Sequence, residues 1–150
     1  MNPKKSIFAV FEGNLLGHII AKSGIKVDSD KVLTITQIPY PMNKKAMQSF
    51  LGKIKFLGKF ISDYVQIVKP IREMINKDVV YSLGKKENDA FARIKQAIAE
   101  APTLYNPNFN KDFLLYKFSS DTSLAAVLIQ KDELNNKHLI SFMSASLQGP

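Results

Sequence analysis

The apolar positions of this 150-residue chain change period along its length, and each change marks a different kind of element. Ile7-Phe-Ala-Val-Phe11 and Leu15-Leu-Gly-His-Ile-Ile20 are short apolar runs separated by Glu12-Gly-Asn14. This predicts a β-hairpin in which Gly13 and Asn14 are available for positive φ. Lys22-Ser-Gly24 supplies a second turn, and Gly24-Ile-Lys-Val-Asp28 leads into a helix capped by Asp28 or Ser29 and running to about Gln37. Pro39-Tyr-Pro41 then stops the helix and forces extended backbone, because proline lacks an amide proton and restricts the residue before it.

Beyond Asn43, a candidate N-cap, the period is helical. Met47, Phe50, Ile54, Leu57 and Ile61 recur at steps of three and four, so they share one face. The opposite face carries Lys45, Gly52, Lys55, Phe56 and Lys59. Gly52 and Gly58 each cost roughly 1 kcal/mol of helix stability relative to alanine, which suggests that something needs room there. Two readings fit: an amphipathic helix with a solvated basic face, and a helix laid against a nucleic-acid backbone. A further helix restarts at Ser62 or Asp63 with Tyr64, Val65 and Val68 as its apolar side, and Pro70 inside it predicts two short helices or a kink. Residues 79–83 read as a short β-like run ended by Gly84. Residues 87–101 form the cleanest amphipathic helix, with Phe91, Ile94, Ile98 and Ala101 on one side and Pro102 at its end.

From Phe109 the period changes again. Phe113-Leu-Leu-Tyr-Lys-Phe118, Leu124-Ala-Ala-Val-Leu-Ile129 and His138-Leu-Ile-Ser-Phe-Met143 read as three strands. The turn-rich connections 119–123 and 130–137 are short enough for an antiparallel meander. Asn106-Pro-Asn108 marks a module boundary. The expected fold class is therefore α+β: an N-terminal β-hairpin and helical module, followed by an incomplete antiparallel three-stranded meander. Its last edge is covered by nothing in the sequence, as in part of a larger protein.

Composition removes several classes of chemistry. Hydrophobic residues make up 45% of the chain, with ten phenylalanines, enough for a packed core. The absence of cysteine excludes disulfides, cysteine zinc sites and thiol catalysis. No apolar run approaches the roughly 18 residues of a membrane span, so an intracellular protein, cytoplasmic or nuclear and without a membrane partner, is expected. His18 and His138 have no neighbouring ligand set, so neither a metal site nor a bound cofactor is expected within the chain. Taken alone, His18 reads as a half-buried strand histidine. The glycines form no phosphate-cradling loop, and Ser62, Ser119 and Ser120 have no obvious base partner.

Charge changes the picture more. The net charge is +8, and residues 1–100 carry all of it, with 17 Lys and Arg against 9 Asp and Glu; residues 101–150 hold 4 of each. Between Asp30 and Asp63 there is no acidic residue, while Lys31, Lys44, Lys45, Lys53, Lys55 and Lys59 fall there. Such a field attracts polyanions, nucleic acid first among them.

Three stretches together resemble the pol polyprotein of long-terminal-repeat retrotransposons of the gypsy type, as found in plants. Asn2-Pro-Lys-Lys-Ser-Ile-Phe8, Leu15-Leu-Gly-His-Ile-Ile20 and Gly24-Ile-Lys-Val-Asp28 look like the end of a reverse-transcriptase palm with its primer-grip hairpin. Pro39-Tyr-Pro41, Phe50-Leu-Gly-Lys-Ile-Lys-Phe56, Phe60-Ile61 and Val68-Lys-Pro70 look like the thumb. Phe91-Ala-Arg-Ile-Lys95, Ala101-Pro102 and residues 119–130 resemble the lead-in and first strands of the attached RNase H-like domain. The implied divisions are 1–38 for the palm end, 39–83 for the thumb, 84–108 for a connecting helix and linker, and 109–150 for a truncated RNase H-like domain.

The resemblance implies that Lys45, Gly52, Lys55, Phe56 and Lys59 track an RNA–DNA or DNA template–primer duplex without reading its sequence. It also implies that Leu16, Gly17 and His18 sit near the primer terminus. Remaining partners would be the rest of the pol polyprotein, and Mg²⁺ is implied for the intact parent enzyme. The departures are as informative. No Asp-Asp pair is present, and the palm aspartates would lie upstream of Met1. The family's first RNase H aspartate falls at Phe118, leaving Asp121 as the one weak catalytic candidate in the following loop. Two-metal hydrolysis needs a carboxylate cluster, and after Asn106 the chain offers only Asp112, Asp121, Asp132 and Glu133, the last two in a turn. Near Leu83 and Gly84 the family carries a tryptophan and a capping threonine. The expectation is a fragment that contacts duplex during RNA-directed DNA synthesis without a complete active site. The alternatives are a nuclease completed by a partner chain and a non-enzymatic module whose open strand edge pairs with another subunit.

Overall fold

Leu16 (φ 53°) and Gly17 (φ 82°) both take left-handed backbone, the two-residue geometry that matches the twist of a tight hairpin. In the computed structural model, which describes residues 10–82 and 84–147, they and not Gly13 and Asn14 join β1 (Glu12–Leu15) to β2 (His18–Ala21). Asn14 stays in its strand, where its Nδ2 donates to Asp28 Oδ2 at 2.6 Å and so ties β1 to the next helix. Most of the apolar run 7–11 lies outside the described residues. β3 (Gly24–Val27) pairs antiparallel with β2, so the expected hairpin is a three-stranded sheet and residues 24–27 are strand, not a lead-in.

α1 (Ser29–Thr36) starts at Asp28, whose side chain accepts from the Asp30 amide at 3.3 Å. α2 (Lys44–Ile54) is capped by Asn43, whose Oδ1 accepts from the Ala46 amide at 2.9 Å. Beyond Ile54 the chain tightens into a 3₁₀ segment, Lys55–Phe60. With three residues per turn, positions three apart eclipse, so Leu57 and Phe60 both point inward. Met47, Phe50, Ile54, Leu57 and Ile61 are all buried, as their spacing predicts.

α3 (Tyr64–Met74) runs unbroken through Pro70, contrary to the expected pair of short helices. Pro70 leaves the Gln66 carbonyl without its helical donor, a cost of about 3 kcal/mol. Burial of Val65, Val68, Ile71 and Met74, on a helix that packs against α4 and β6, offsets it, at roughly 1.5–3 kcal/mol for each large side chain removed from water. Residues 79–82 are not a strand: Val80 is 84% exposed and has no strand to pair with, and the Tyr81 hydroxyl instead ties the segment down by donating to the Pro41 carbonyl. Leu83 lies outside the described residues.

α4 (Lys85–Ala99) starts at Gly84 without a side-chain cap bond and buries Ala90, Phe91, Ile94 and Ile98. The Phe91 ring meets Phe50 at 4.8 Å and Tyr40 at 5.0 Å between centroids, the centre of the helical core. Lys95 reaches under it and donates to the Ile38 carbonyl, and burial lowers its pKa.

The stretch that reads as a boundary is a seam. Leu104 is buried and pairs with Ile25 through two backbone bonds of 2.7 and 2.8 Å. Tyr105 donates to the Leu139 carbonyl at 2.8 Å, and Asn106 Nδ2 to the carbonyls of Ala21 and Lys22 at 3.0 and 3.1 Å. The chain thereby links its two sheets. The second sheet, ordered β4 (Leu114–Ser119), β5 (Ser123–Lys131), β6 (Lys137–Ser146), is the expected antiparallel meander, with a register shift at Leu128/Ile129. It also docks on α3: the Val65 amide donates to Ser144 Oγ at 3.2 Å, and Gln66 Nε2 to Ser123 Oγ at 2.7 Å.

The β5–β6 turn is organised by one carboxylate. Asp132 Oδ1 accepts from the Leu134 and Asn136 amides, each at 2.9 Å, and Oδ2 meets His138 Nε2 at 2.8 Å. The His138 contact first, then the Asn136 bonds, bring the Asp132 pKa down to about 2. Because the folded value lies below the usual carboxylate value, this stabilisation is full above roughly pH 4. It is lost as the pH falls through about 2. An NMR titration should show the Asp132 carboxyl titrating near 2, with the Leu134 and Asn136 amide shifts following it; a midpoint near 4 would refute this arrangement.

Candidate nucleic-acid interface

Lys45, Gly52 and Lys55 lie exposed along α2 and the start of the 3₁₀ segment. At about 1.5 Å rise per residue, Lys45 and Lys55 are separated by roughly 15 Å along the axis. A Cβ added at Gly52 would have nothing within 4 Å, so no packing inside the described structure demands that glycine. Gly58 differs, since a Cβ added there would lie 3.6 Å from the Tyr64 ring.

Phe56 does not join the exposed face. The 3₁₀ turn rotates it inward, where its ring stands edge-on to His18 at 5.1 Å and Lys31 Nζ sits 5.8 Å from its centroid. His18 also stacks on Phe60 at 5.4 Å, so the β1–β2 hairpin leans directly on the 3₁₀ segment. Burial, and secondarily the charge of Lys59, lower the His18 pKa and keep the ring neutral, with its Nε2 enclosed and without a hydrogen-bond partner among the described residues. Leu16 stands beside it at the hairpin tip, 84% exposed and in left-handed backbone that costs a branched residue about 1–2 kcal/mol. Two clusters far apart in sequence, 16–18 and 55–60, are therefore one assembly.

The sequence reading named Lys31 only as part of the positive field and did not single out Arg72. Lys31 packs its stem by Gly17, where an added Cβ would lie 3.3 Å from Lys31 Cγ; the acid-free stretch was a signal for it. Arg72, on α3, lines a cleft with Lys55 and Lys59, and its neighbour Glu73 hides it from any reading by net charge. Among the described residues the one Lys or Arg ion pair is Lys111–Glu133 at 3.7 Å, so no described carboxylate pairs with the cations of this surface.

The catalytic candidates fare differently. Phe118 is 60% exposed on β4, and Asp121 stands exposed in the β4–β5 loop. Ser120 and Thr122 on either side are held by Gln66 Nε2 at 3.3 and 3.0 Å. No group of three or more metal-ligating side chains exists among the described residues, so the donors for a hydrolytic Mg²⁺ pair are not assembled here. No described helix is long and apolar enough to cross a membrane.

The meander of three antiparallel strands docked on α3 lies within an RNase H-like region. Residues 83–150 match the RNase H-like domain found in reverse transcriptase. In sequence the chain is similar to the pol polyproteins of gypsy-like retrotransposons. It is 38% identical over 144 residues to the Retrovirus-related Pol polyprotein from transposon 297 of Drosophila melanogaster, covering 95% of this chain and 13% of that polyprotein. It is 28% identical over 147 residues to the Transposon Tf2-3 polyprotein of Schizosaccharomyces pombe, covering 98% and 11%. The chain thus spans a small part of these relatives. In fold it resembles the foamy viral protease-reverse transcriptase, with a TM-score of 0.79 at 20% identity over 97% of this chain and 30% of that one in a complex with dsDNA. For a complex with an RNA/DNA hybrid the TM-score is 0.78, over 97% and 20%.

Proposed function

We propose that this segment acts as the thumb and adjoining RNase H-like start of a gypsy-type reverse transcriptase, holding template–primer duplex during RNA-directed DNA synthesis. The observation that carries the reading is the exposed row Lys45, Gly52, Lys55, free of carboxylate partners and centred on a glycine with open space before it. Lysines on such a row hold phosphates, while a glycine admits the sugar edge of a groove; neither reads bases, which suits an enzyme that must move along any sequence. The foamy viral enzyme of the same fold carries dsDNA in one structure and an RNA/DNA hybrid in another, which supports the choice of ligand. Leu16, Gly17 and His18 would stand at the primer end, where a strained, exposed hairpin tip braced by Phe56 and Phe60 gives a fixed edge. Metal chemistry would come from carboxylates elsewhere in the polyprotein.

Fluorescence anisotropy with a labelled RNA–DNA hybrid tests this. Affinity should fall linearly on a log–log plot against salt, with a slope of about −0.9 for each phosphate neutralised, and should not depend on base sequence. Binding that ignores salt, or no binding at low salt, would overturn the reading.

A further inference from the structure

We infer that the cleft of about 330 Å³ between the 3₁₀ segment, α3 and β6 seats backbone phosphates of one strand through Lys55, Lys59 and Arg72. The inference rests on the proposed function and extends its surface across the seam between helices and sheet. Three cations from two elements converge on this cleft, its lining contains no carboxylate, and no ion pair among the described residues involves them. Like charges gathered beside a low-dielectric wall repel one another unless an anion joins them.

That wall is real. Tyr64 and Val65 are buried at its base, and Ser144, on the far side, is fixed by the Val65 amide. Burial raises the Tyr64 hydroxyl pKa, with nearby Arg72 opposing, so the phenol stays protonated and adds a donor instead of a negative charge. Gly58 lines the cleft, and a Cβ added there would rest on the Tyr64 ring at 3.6 Å. The side chains lining the cleft are three cations, two hydroxyls and apolar surface, with no carboxylate, a lining that favours a phosphodiester over a cationic ligand. Arginine at its rim can grip two phosphate oxygens at once.

The test uses the whole chain and a labelled RNA–DNA hybrid over a salt series, with Arg72→Gln, Arg72→Lys and Lys45→Ala. Arg72→Gln should weaken binding several-fold for every sequence and reduce the salt slope by about one, while Arg72→Lys should restore most of the slope. Inorganic phosphate should also shift the Val65 and Ser144 amide resonances of the wild type, and not those of Arg72→Gln. An unchanged slope in Arg72→Gln beside a reduced slope in Lys45→Ala would remove the seat and leave the duplex surface standing. Phosphate-induced shifts without salt-dependent hybrid binding would keep an anion seat and overturn the proposed function. Absence of both would overturn both.

Discussion

Gly24→Ala should destabilise the protein by about 2–5 kcal/mol, combining backbone strain with an overpacked contact. Gly24 has φ of +150°, and a Cβ there would lie 2.2 Å from the Leu104 carbonyl oxygen and 3.2 Å from Thr103 Cγ2. The neighbouring Ile25 is bonded to Leu104 in both directions, so the strand cannot draw back without breaking the bridge. A loss of this size is a large share of the roughly 5–15 kcal/mol that holds a typical domain together. Urea unfolding should show a lower midpoint at an unchanged slope. An unchanged midpoint would mean that the bridge between β3 and residue 104 is not formed in solution.

The second large effect concerns binding. The triple variant Lys45→Ala/Lys55→Ala/Lys59→Ala should lower the salt slope for an RNA–DNA hybrid by about 2.7, three contacts at roughly 0.9 each. At physiological salt that amounts to an affinity loss on the order of a hundredfold, since each contact gains by counterion release. Lys45 and Lys55 are exposed, and Lys59 meets the core only where its ammonium lies 5.5 Å from the Phe60 ring centroid. The far-UV spectrum should therefore stay near wild type and the unfolding midpoint should shift little. Equal affinity of the variant and the wild type would show that duplex, if bound, uses another face.

Periodicity read the helices well because burial on one face leaves a direct trace in the sequence. Met47, Phe50, Ile54, Leu57 and Ile61, and later Phe91, Ile94 and Ile98, are buried where their spacing puts them. The strands of the second sheet were equally readable from alternation and turn residues. Errors arose where two local signals competed. Gly13-Asn14 carries a stronger turn signature than Leu16-Gly17, yet pairing of Leu15 with His18 places the turn after it. Pro70 should break a helix, and does not, because the apolar face of α3 has a partner in α4.

The placement of the candidate residues was half readable. An acid-free stretch of 32 residues between Asp30 and Asp63 pointed to Lys45, Lys55 and Lys59. An ideal helix also placed Phe56 among them, and only the change to three residues per turn after Ile54 turned that ring toward His18. His18 itself looked like an ordinary strand histidine until the hairpin was seen leaning on the 3₁₀ segment.

Local chemistry is enough to fix most of the helices, the strands of the second sheet, the buried face of each helix and the positive field, because these depend on residue identity and short-range spacing. Contacts between distant segments depend on how the elements meet, and no short-range pattern records that. Folding alone brings Arg72 beside Lys55 and Lys59, makes residues 104–106 a seam between two sheets, and locks α3 to β5 and β6 through Gln66 and Ser144.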